Sequence, residues 1–214
     1  MFEIVEILRG ETEKFEKTLV SKIILEYGHD PFLILISCLL SLRSRDSVTI
    51  HVCRKLFDLG ANTPEKIVAM DVLDLENIIK PIGFFRGKAK TLISVCAELI
   101  SRFGAKVPDT EKDLLSIKGI GRKTANLVLG VAFGKLAICV DIHVHRISNR
   151  LGLVRTKTPE ETEFELKKIL PMELWTEWNE LLVLLGQNVC LPRFPRCENC
   201  VVWELCTLKQ MRTG

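Results

Sequence analysis

Apolar residues along the chain recur with the spacing of amphipathic helices. In residues 86–103 they fall on one helical stripe, which ends before Gly104. Over the length of a strand, no stretch alternates with period two. Capping and proline signals place the helix starts, as in the capping box at 158–161. The pattern predicts an all-α protein, with helices from Pro31 to about Arg43, from Asp46 to Gly60, after Thr63, after Asp71, and at about 86–103, 110–117, 122–134, 142–151, 159–169 and 173–189.

The composition indicates a globular protein that is neither secreted nor embedded in a membrane, but it does not indicate a function. The 214 residues are 47% apolar and 27% charged, which allows a sizeable core, and the net charge of +3 alone proves no polyanionic partner. The longest apolar run, Pro31–Leu42, is too short to span a bilayer, so we expect no membrane partner. The N-terminus lacks the basic start of a secretory signal. Eight cysteines then indicate a reducing, cytoplasmic setting, with metal ligation or burial rather than disulfides.

A glycine-containing hairpin joins the predicted helices at about 110–117 and 122–134. Gly119 and Gly121 flank Ile120, which can plug into the core and hold the turn. The N–H groups of such a hairpin, together with the positive end of the next helix, can bind a phosphate oxygen. The motif alone is equally compatible with an ordinary turn between helices. The hairpin also carries three cations, and two of them open a helix that is otherwise apolar on nearly every side, which favours nucleic-acid contact: Lys118, Arg122 and Lys123.

Two segments together resemble a known family. The run Gly119–Asn126 is followed by Val140–Arg146, so that Asp141 lies eighteen residues after Lys123. This pairing resembles the helix-hairpin-helix-GPD superfamily of DNA glycosylases, and within it the endonuclease III family. The resemblance covers about Asp30 to Cys206. It implies a bifunctional DNA glycosylase and AP lyase of base excision repair, acting on duplex DNA that carries oxidised pyrimidines or abasic sites.

The pair of residues also makes chemical sense. Breaking an N-glycosidic bond leaves positive charge on the sugar, which a nearby carboxylate stabilises. A neutral amine can capture C1′ as an imine, and the start of a helix and the adjacent Arg122 both favour loss of the amine proton. By the resemblance, Lys123 is the nucleophile and Asp141 the catalytic carboxylate. The alternatives are a phosphate-binding lysine at 123 and a helix N-cap at 141, and the N-cap is compatible with catalysis.

The last four cysteines crowd into a short segment with the spacing C-x6-C-x2-C-x5-C. Four thiolates so close in sequence can converge on one site, and zinc or a [4Fe–4S] cluster would satisfy this equally. The resemblance implies the family's cluster loop, hence [4Fe–4S], with Arg193 and Arg196 contacting DNA rather than merely solvated. The remaining cysteines lie among apolar residues and are expected to be packing residues. The proposed ligands are Cys190, Cys197, Cys200 and Cys206.

A glycosylase must extrude the damaged base from the duplex and fill the gap. The resemblance points to two loops for this step. Arg43 stands where family members typically carry Gln, so the preference for the opposing base is open. Phe84 falls where the family has an aliphatic wedge and could intercalate, although a core phenylalanine is the alternative. Lys88 is either a phosphate contact or a solvent-facing helix residue.

The resulting expectation is a two-lobed monomer that binds damaged duplex DNA in the cytoplasm, in association with the nucleoid. Residues 24–135 form a six-helix barrel that carries the hairpin, and residues 1–23 with 136–214 form a second lobe with the cluster loop 190–206. DNA would cross the cleft between Lys123 and Asp141. One alternative is a glycosylase for mismatched or deaminated bases. Another, of a different class, is a non-catalytic DNA-binding or redox-sensing module.

Overall fold

The computed structural model describes residues 1–209; residues 2–205 contain twelve α-helices and three short 3₁₀ turns, and the described residues contain no strand. The predicted all-α class is confirmed for this part of the chain. The 3₁₀ turns are Met172–Leu174, Cys197–Asn199 and Trp203–Leu205. The helices are α1 Phe2–Thr12, α2 Leu19–Tyr27, α3 Pro31–Ser41, α4 Asp46–Asp58, α5 Pro64–Val68, α6 Val72–Ile79, α7 Phe85–Phe103, α8 Glu111–Ser116, α9 Arg122–Phe133, α10 Ile142–Arg150, α11 Pro159–Ile169 and α12 Trp175–Asn188.

Capping side chains set the predicted helix starts. Asp30 accepts the N–H groups of the first turn of α3, and Thr158 accepts the N–H of Glu161 in α11. Gly104 ends α7 in the left-handed conformation, as predicted. The sequence analysis did not predict α2, although Thr18, a residue type that often caps helices, directly precedes its first residue. Its buried residues, Leu19 and Ile23, anchor it by packing.

The contacts within the chain divide it into two compact units. Leu19–Lys135 form the hairpin unit, whereas Met1–Thr18 and the described residues from Leu136 onward form the cluster-loop unit. The sequence placed the first boundary at residue 24, a position inside α2. The packing of α2 on α3 and α4 assigns the whole helix to the hairpin unit.

Each unit has its own core. In the hairpin unit, α3 is buried along Phe32–Leu40 and packs against α2, α4, α7 and α9. In the cluster-loop unit, α10 and α12 pack together around the fully buried Trp178, and α1 lies against α12. Lys123 lies in the first turn of α9 and Asp141 is the N-cap of α10, so each core fixes the backbone of one predicted catalytic residue.

None of the helices formed by residues 1–209 combines the length and apolar character required to cross a bilayer.

Candidate active site

The hairpin between α8 and α9 has the predicted construction, with one difference. Ile120 is buried in the core and its N–H bonds to the carbonyl of Ile117. Gly119 adopts a φ of +105°, and a Cβ there would lie 2.8 Å from Cγ2 of Thr91 on α7. Gly121 has an ordinary φ of −92° and open space where a Cβ would be. The turn itself therefore requires only the first glycine, and the second leaves the backbone open to approach from outside.

Lys123 occupies the first turn of α9, directly behind this hairpin. The N–H groups of the first turn have no acceptor within the helix, because the helical ladder begins with Ala125 N–H to the Gly121 carbonyl. Lys123 is half-buried, and its positive charge is close enough to Cys38 of α3 to affect the pKa of that thiol. Burial raises the pKa of that thiol to about 12, and the lysine charge opposes this. The proposed nucleophile thus faces an inert, neutral thiol.

The other hairpin cations are exposed. Arg122 lies 3.3 Å from Glu111 of α8 in an ion pair across the hairpin, with both side chains about half exposed. The backbone N–H of Lys118 bonds to Glu98 of α7, so the exposed side chain at 118 extends from a fixed backbone position. The hairpin therefore presents positive charge beside N–H donors, which suits a phosphate group.

Asp141 is the N-cap of α10 and is only 9% exposed. Its Oδ1 accepts the N–H groups of His143 at 2.8 Å and Val144 at 2.9 Å. The predicted capping role is confirmed. The two bonds and the positive end of the helix favour a negative side chain at this position and fix its orientation.

The two histidines after Asp141 are two residues apart on α10 and contact different helices. His143 lies against Gly186 of α12, where a Cβ would collide with the imidazole ring. His145 bonds through Nδ1 to the Thr162 hydroxyl of α11 at 2.6 Å. Within residues 1–209, no three side chains among His, Cys, Asp and Glu are arranged to hold a metal ion. The histidines therefore pack α10 between α11 and α12.

The two loops predicted to fill the gap in DNA meet within the hairpin unit. The Arg43 guanidinium lies over the Phe84 ring, 5.8 Å from its centroid, which is within cation–π range. Both residues have left-handed backbone angles, φ 55° for Arg43 and φ 60° for Phe84. Phe84 is 69% exposed, so the alternative of a core phenylalanine is wrong. Strained, exposed residues of this kind are typical of binding sites.

Lys88 lies one helical turn after Phe84 and does not face solvent freely. Its ammonium donates to the Leu40 carbonyl at 2.7 Å, and burial lowers its pKa to about 8. The alternative of a solvent-facing helix residue is therefore wrong. Lys88 also lines a small cavity with Leu39, Leu42, Thr91, Leu92 and Gly119.

The cysteines separate into two environments. Those predicted to be packing residues are all buried, namely Cys38, Cys53, Cys96 and Cys139. The four in the C-terminal loop are half-buried free thiols, and three of them pack against the core of the cluster-loop unit. Burial raises the pKa of Cys200 to about 11, and the charges of the other three loop cysteines add to this. The loop therefore holds four thiols within electrostatic range of one another, and soft thiolates suit zinc or an iron–sulfur cluster.

Sequence reasoning missed the residues that anchor this loop. Arg150, at the end of α10, donates to the Cys190 sulfur at 3.3 Å, the Leu191 carbonyl at 2.7 Å and the Pro192 carbonyl at 2.9 Å. One turn earlier, Arg146 donates to the Cys190 carbonyl at 2.8 Å. Their i, i+4 spacing on the helix that follows Asp141 was a usable signal. One helix thus carries the carboxylate at its start and fixes the cluster loop at its end.

A second missed residue is Phe194, between the predicted DNA contacts Arg193 and Arg196. Its side chain is 90% exposed and its φ is 52°. Arg193 is exposed, while the backbone of Arg196 bonds to Val189 and its guanidinium reaches the Asn188 carbonyl at 3.4 Å. The position of this phenylalanine between Arg193 and Arg196 was visible in the sequence, but an analysis of charged residues alone does not select it.

Comparison with known proteins supports one family. Residues 36–172 match the family described as HhH-GPD superfamily base excision DNA repair protein. Endonuclease III of Thermotoga maritima is 45% identical, covering 86% of this chain and 85% of that protein. A trapped covalent intermediate of endonuclease III with DNA is similar in structure, with a TM-score of 0.81, 36% identity and coverage of 86% and 87%. A non-covalent endonuclease III–DNA complex gives a TM-score of 0.87, with 32% identity and coverage of 99% and 95%.

These matches confirm the predicted family, the helix-hairpin-helix fold class and the predicted class of enzyme. They span most of the chain and include both segments that carry the resemblance. The chain belongs to the endonuclease III family of the HhH-GPD superfamily, the bifunctional DNA glycosylases and AP lyases of base excision repair.

Proposed function

We propose that Lys123 is the nucleophile and Asp141 the catalytic carboxylate, acting on duplex DNA that contains oxidised pyrimidines or abasic sites. The observation that carries this proposal is the position of Lys123 in the first turn of α9, behind a hairpin whose turn depends on Gly119. A phosphate held by the N–H groups of this first turn would bring the DNA backbone close to the amine of Lys123. Asp141 is held as an oriented carboxylate by the start of α10.

The chemistry follows from these groups. The neutral amine of Lys123 forms a bond to C1′ as the glycosidic bond breaks and the base leaves with its electron pair. The carboxylate of Asp141 stabilises the positive charge that develops on the sugar. Loss of a proton from the nitrogen and opening of the sugar ring give the Schiff base. Removal of a C2′ proton then expels the 3′ phosphate, and the strand is nicked 3′ to the lesion.

Three groups of residues would bind the DNA. The hairpin would contact the backbone through Lys118, Gly119, Ile120, Gly121 and Arg122. Arg43 and Phe84, already in contact, would occupy the gap left by the extruded base. Arg193 and Arg196 would contact the backbone from the cluster loop. Most of these contacts are independent of sequence and should be sensitive to salt. We expect a monomer acting on nucleoid DNA in the cytoplasm.

The decisive experiment is borohydride trapping with a panel of duplexes that each carry a single lesion. Lys123→Ala should abolish the covalent adduct on oxidised-pyrimidine and abasic substrates while largely retaining DNA binding. Lys90→Ala removes an exposed lysine of α7 that lies outside the proposed binding groups and should retain the adduct. An adduct that persists in Lys123→Ala would assign the chemistry to another amine. Mismatched and deaminated bases belong in the panel, because preferential cleavage there would favour the alternative substrate class.

We further propose that Cys190, Cys197, Cys200 and Cys206 hold a [4Fe–4S] cluster. The described residues hold no ready-made group of three metal ligands, and the proposal is supported by the chemistry of the donors: four half-buried free thiols in one short loop, with Cys190 in contact with the Arg150 guanidinium. Neither base excision nor elimination requires electron transfer, so we assign the cluster a structural role. When bound, it would make the loop rigid. Purified protein should absorb near ~400 nm, unlike a colourless zinc site. Cys200→Ser should lose this band and Cys96→Ser, at a buried packing position, should keep it.

A further inference from the structure

The end of α3 is completed by a residue from another helix. The last four carbonyls of a helix have no partner within it. The Ser41 hydroxyl donates to the Cys38 carbonyl at 2.9 Å, and the Ser44 N–H donates to the Ser41 carbonyl at 2.9 Å. The Leu40 carbonyl receives the Lys88 ammonium of α7 at 2.7 Å. A cation at this end is also favoured by the helix dipole.

Lys88 joins the two loops that meet at Arg43 and Phe84. Its backbone N–H bonds to the Phe84 carbonyl at 3.0 Å, which starts α7, while its side chain closes α3 just before Arg43. The loops also touch directly, because a Cβ on Gly83 would lie 3.7 Å from the Arg43 carbonyl. Two left-handed residues placed side by side need such support, since each backbone conformation is unfavourable by itself.

The surroundings of Lys88 argue that the contact is more than incidental. Apolar side chains line its cavity, among them Leu39, Leu42 and Leu92. Burial is the cause of its lowered pKa, about 8. An ammonium is unfavourable in such a place unless it is hydrogen-bonded, and the Leu40 carbonyl supplies that bond. The side chain is therefore engaged within the protein, at the point where the sequence suggested a phosphate contact.

From this geometry we propose that Lys88 is a positioning residue, which holds the 42–45 loop so that Arg43 and Phe84 are arranged for base extrusion before DNA binds. The proposal rests on the proposed function of Arg43 and Phe84. Excision of an intact base requires extrusion, whereas nicking of an existing abasic site requires less of it. Loss of Lys88 should therefore impair the first reaction more than the second.

The test compares Lys88→Met, Lys88→Arg and the exposed control Lys90→Met in the cluster-loaded full chain. In the protein without DNA, Lys88→Met should increase amide exchange in the 41–45 segment by about tenfold, the effect expected for one lost charged hydrogen bond. The ratio of base excision to abasic-site nicking should fall by about tenfold for the same reason. Lys88→Arg, which keeps a cationic donor, should restore both measurements. Lys90→Met should change neither.

Two results would overturn the proposal. One is unchanged exchange or an unchanged ratio in Lys88→Met. The other is an equal loss of both reactions, with the slope of log affinity against log salt reduced by about one, which would assign Lys88 to a phosphate. If the wild-type chain forms no borohydride-trapped adduct, the proposed function fails, and the exchange measurement still decides whether Lys88 holds the loop.

Discussion

The two helices that present the proposed catalytic residues begin in opposite ways. α9 follows Gly121, which has no side chain with which to cap the first turn. α10 follows Asp141, whose carboxylate accepts two N–H groups of its own helix. Both helix starts provide N–H groups that have no carbonyl acceptor within their own helix and that carry a partial positive charge. In α9 these groups are suited to an anion from outside, and in α10 they hold an anion that belongs to the protein.

The start of α9 is therefore suited to binding a DNA phosphate, whereas the start of α10 orients the carboxylate of Asp141. A capping side chain at 121 would compete with a phosphate for the N–H groups of α9. Removing the cap at 141 would release both the helix start and the orientation of the carboxylate. The comparison therefore predicts that removing the capping side chain at position 141 lowers both stability and excision activity. Substitutions at position 121 should change DNA binding with little effect on stability.

The largest effect is expected at Asp141. Asp141→Asn keeps a good capping residue, so thermal stability should remain close to that of the wild type while excision falls by about 10²–10³-fold. Asp141→Ala should lose the activity and also about 1 kcal/mol of the free energy of unfolding. Asp71 caps α6 in the same way, so Asp71→Ala should lower stability without lowering excision. Full excision by Asp141→Asn would show that the carboxylate serves only as a cap.

The next effect distinguishes the two hairpin glycines. Gly119→Ala places a Cβ 2.8 Å from Thr91 Cγ2 in a left-handed conformation, so unfolding should become easier by about 1–3 kcal/mol. Gly121→Ala should change the free energy of unfolding by less than about 1 kcal/mol, because φ is ordinary and the space is open. Urea unfolding measures both. Adding Thr91→Ser, which removes Cγ2, should recover part of the Gly119→Ala loss; equal losses at 119 and 121 would contradict this account.

Much of the fold was predictable because the helix signals are local. Asp30-Pro31 and Gly104 mark a start and an end through capping and backbone geometry, and the structure places them there. α2 was not predicted because it is short and buries only Leu19 and Ile23, so that its apolar pattern is weak. Local sequence does not encode which helices these two residues pack against.

The candidate site shows the same limit. Motif spacing placed Lys123 and Asp141 at helix starts, since hairpin and cap are both short-range devices. The partner of Lys88 could not be predicted, because Leu40 lies 48 residues away and contributes only a carbonyl. Nor could the guanidinium–ring contact of Arg43 with Phe84, which depends on two loops meeting in three dimensions.

A smaller effect is expected from the hairpin cations. Lys118→Ala should reduce the slope of log affinity against log salt by about one and weaken binding uniformly across lesions. Arg122→Ala should reduce the slope less, because this guanidinium is already paired with Glu111 at 3.3 Å. Titrations at several salt concentrations with an abasic duplex measure both slopes. A larger change for Arg122→Ala would mean that the ion pair opens on DNA and that the hairpin binds the phosphate through this residue.

The last prediction concerns stability in alkaline solution. Burial lowers the pKa of Lys88 from its ordinary 10.5 to about 8, so the unfolded chain holds this proton at pH values where the folded chain has released it. Since the unfolded state binds more protons between these values, the contribution of Lys88 to folding should become more favourable as pH rises from about 8 to about 10.5. Urea unfolding of wild type and Lys88→Met should therefore diverge in favour of the wild type across this window and run parallel below it. Lys90→Met should remain parallel to the wild type throughout, and a parallel Lys88→Met curve would mean that the ammonium stays hydrated in solution.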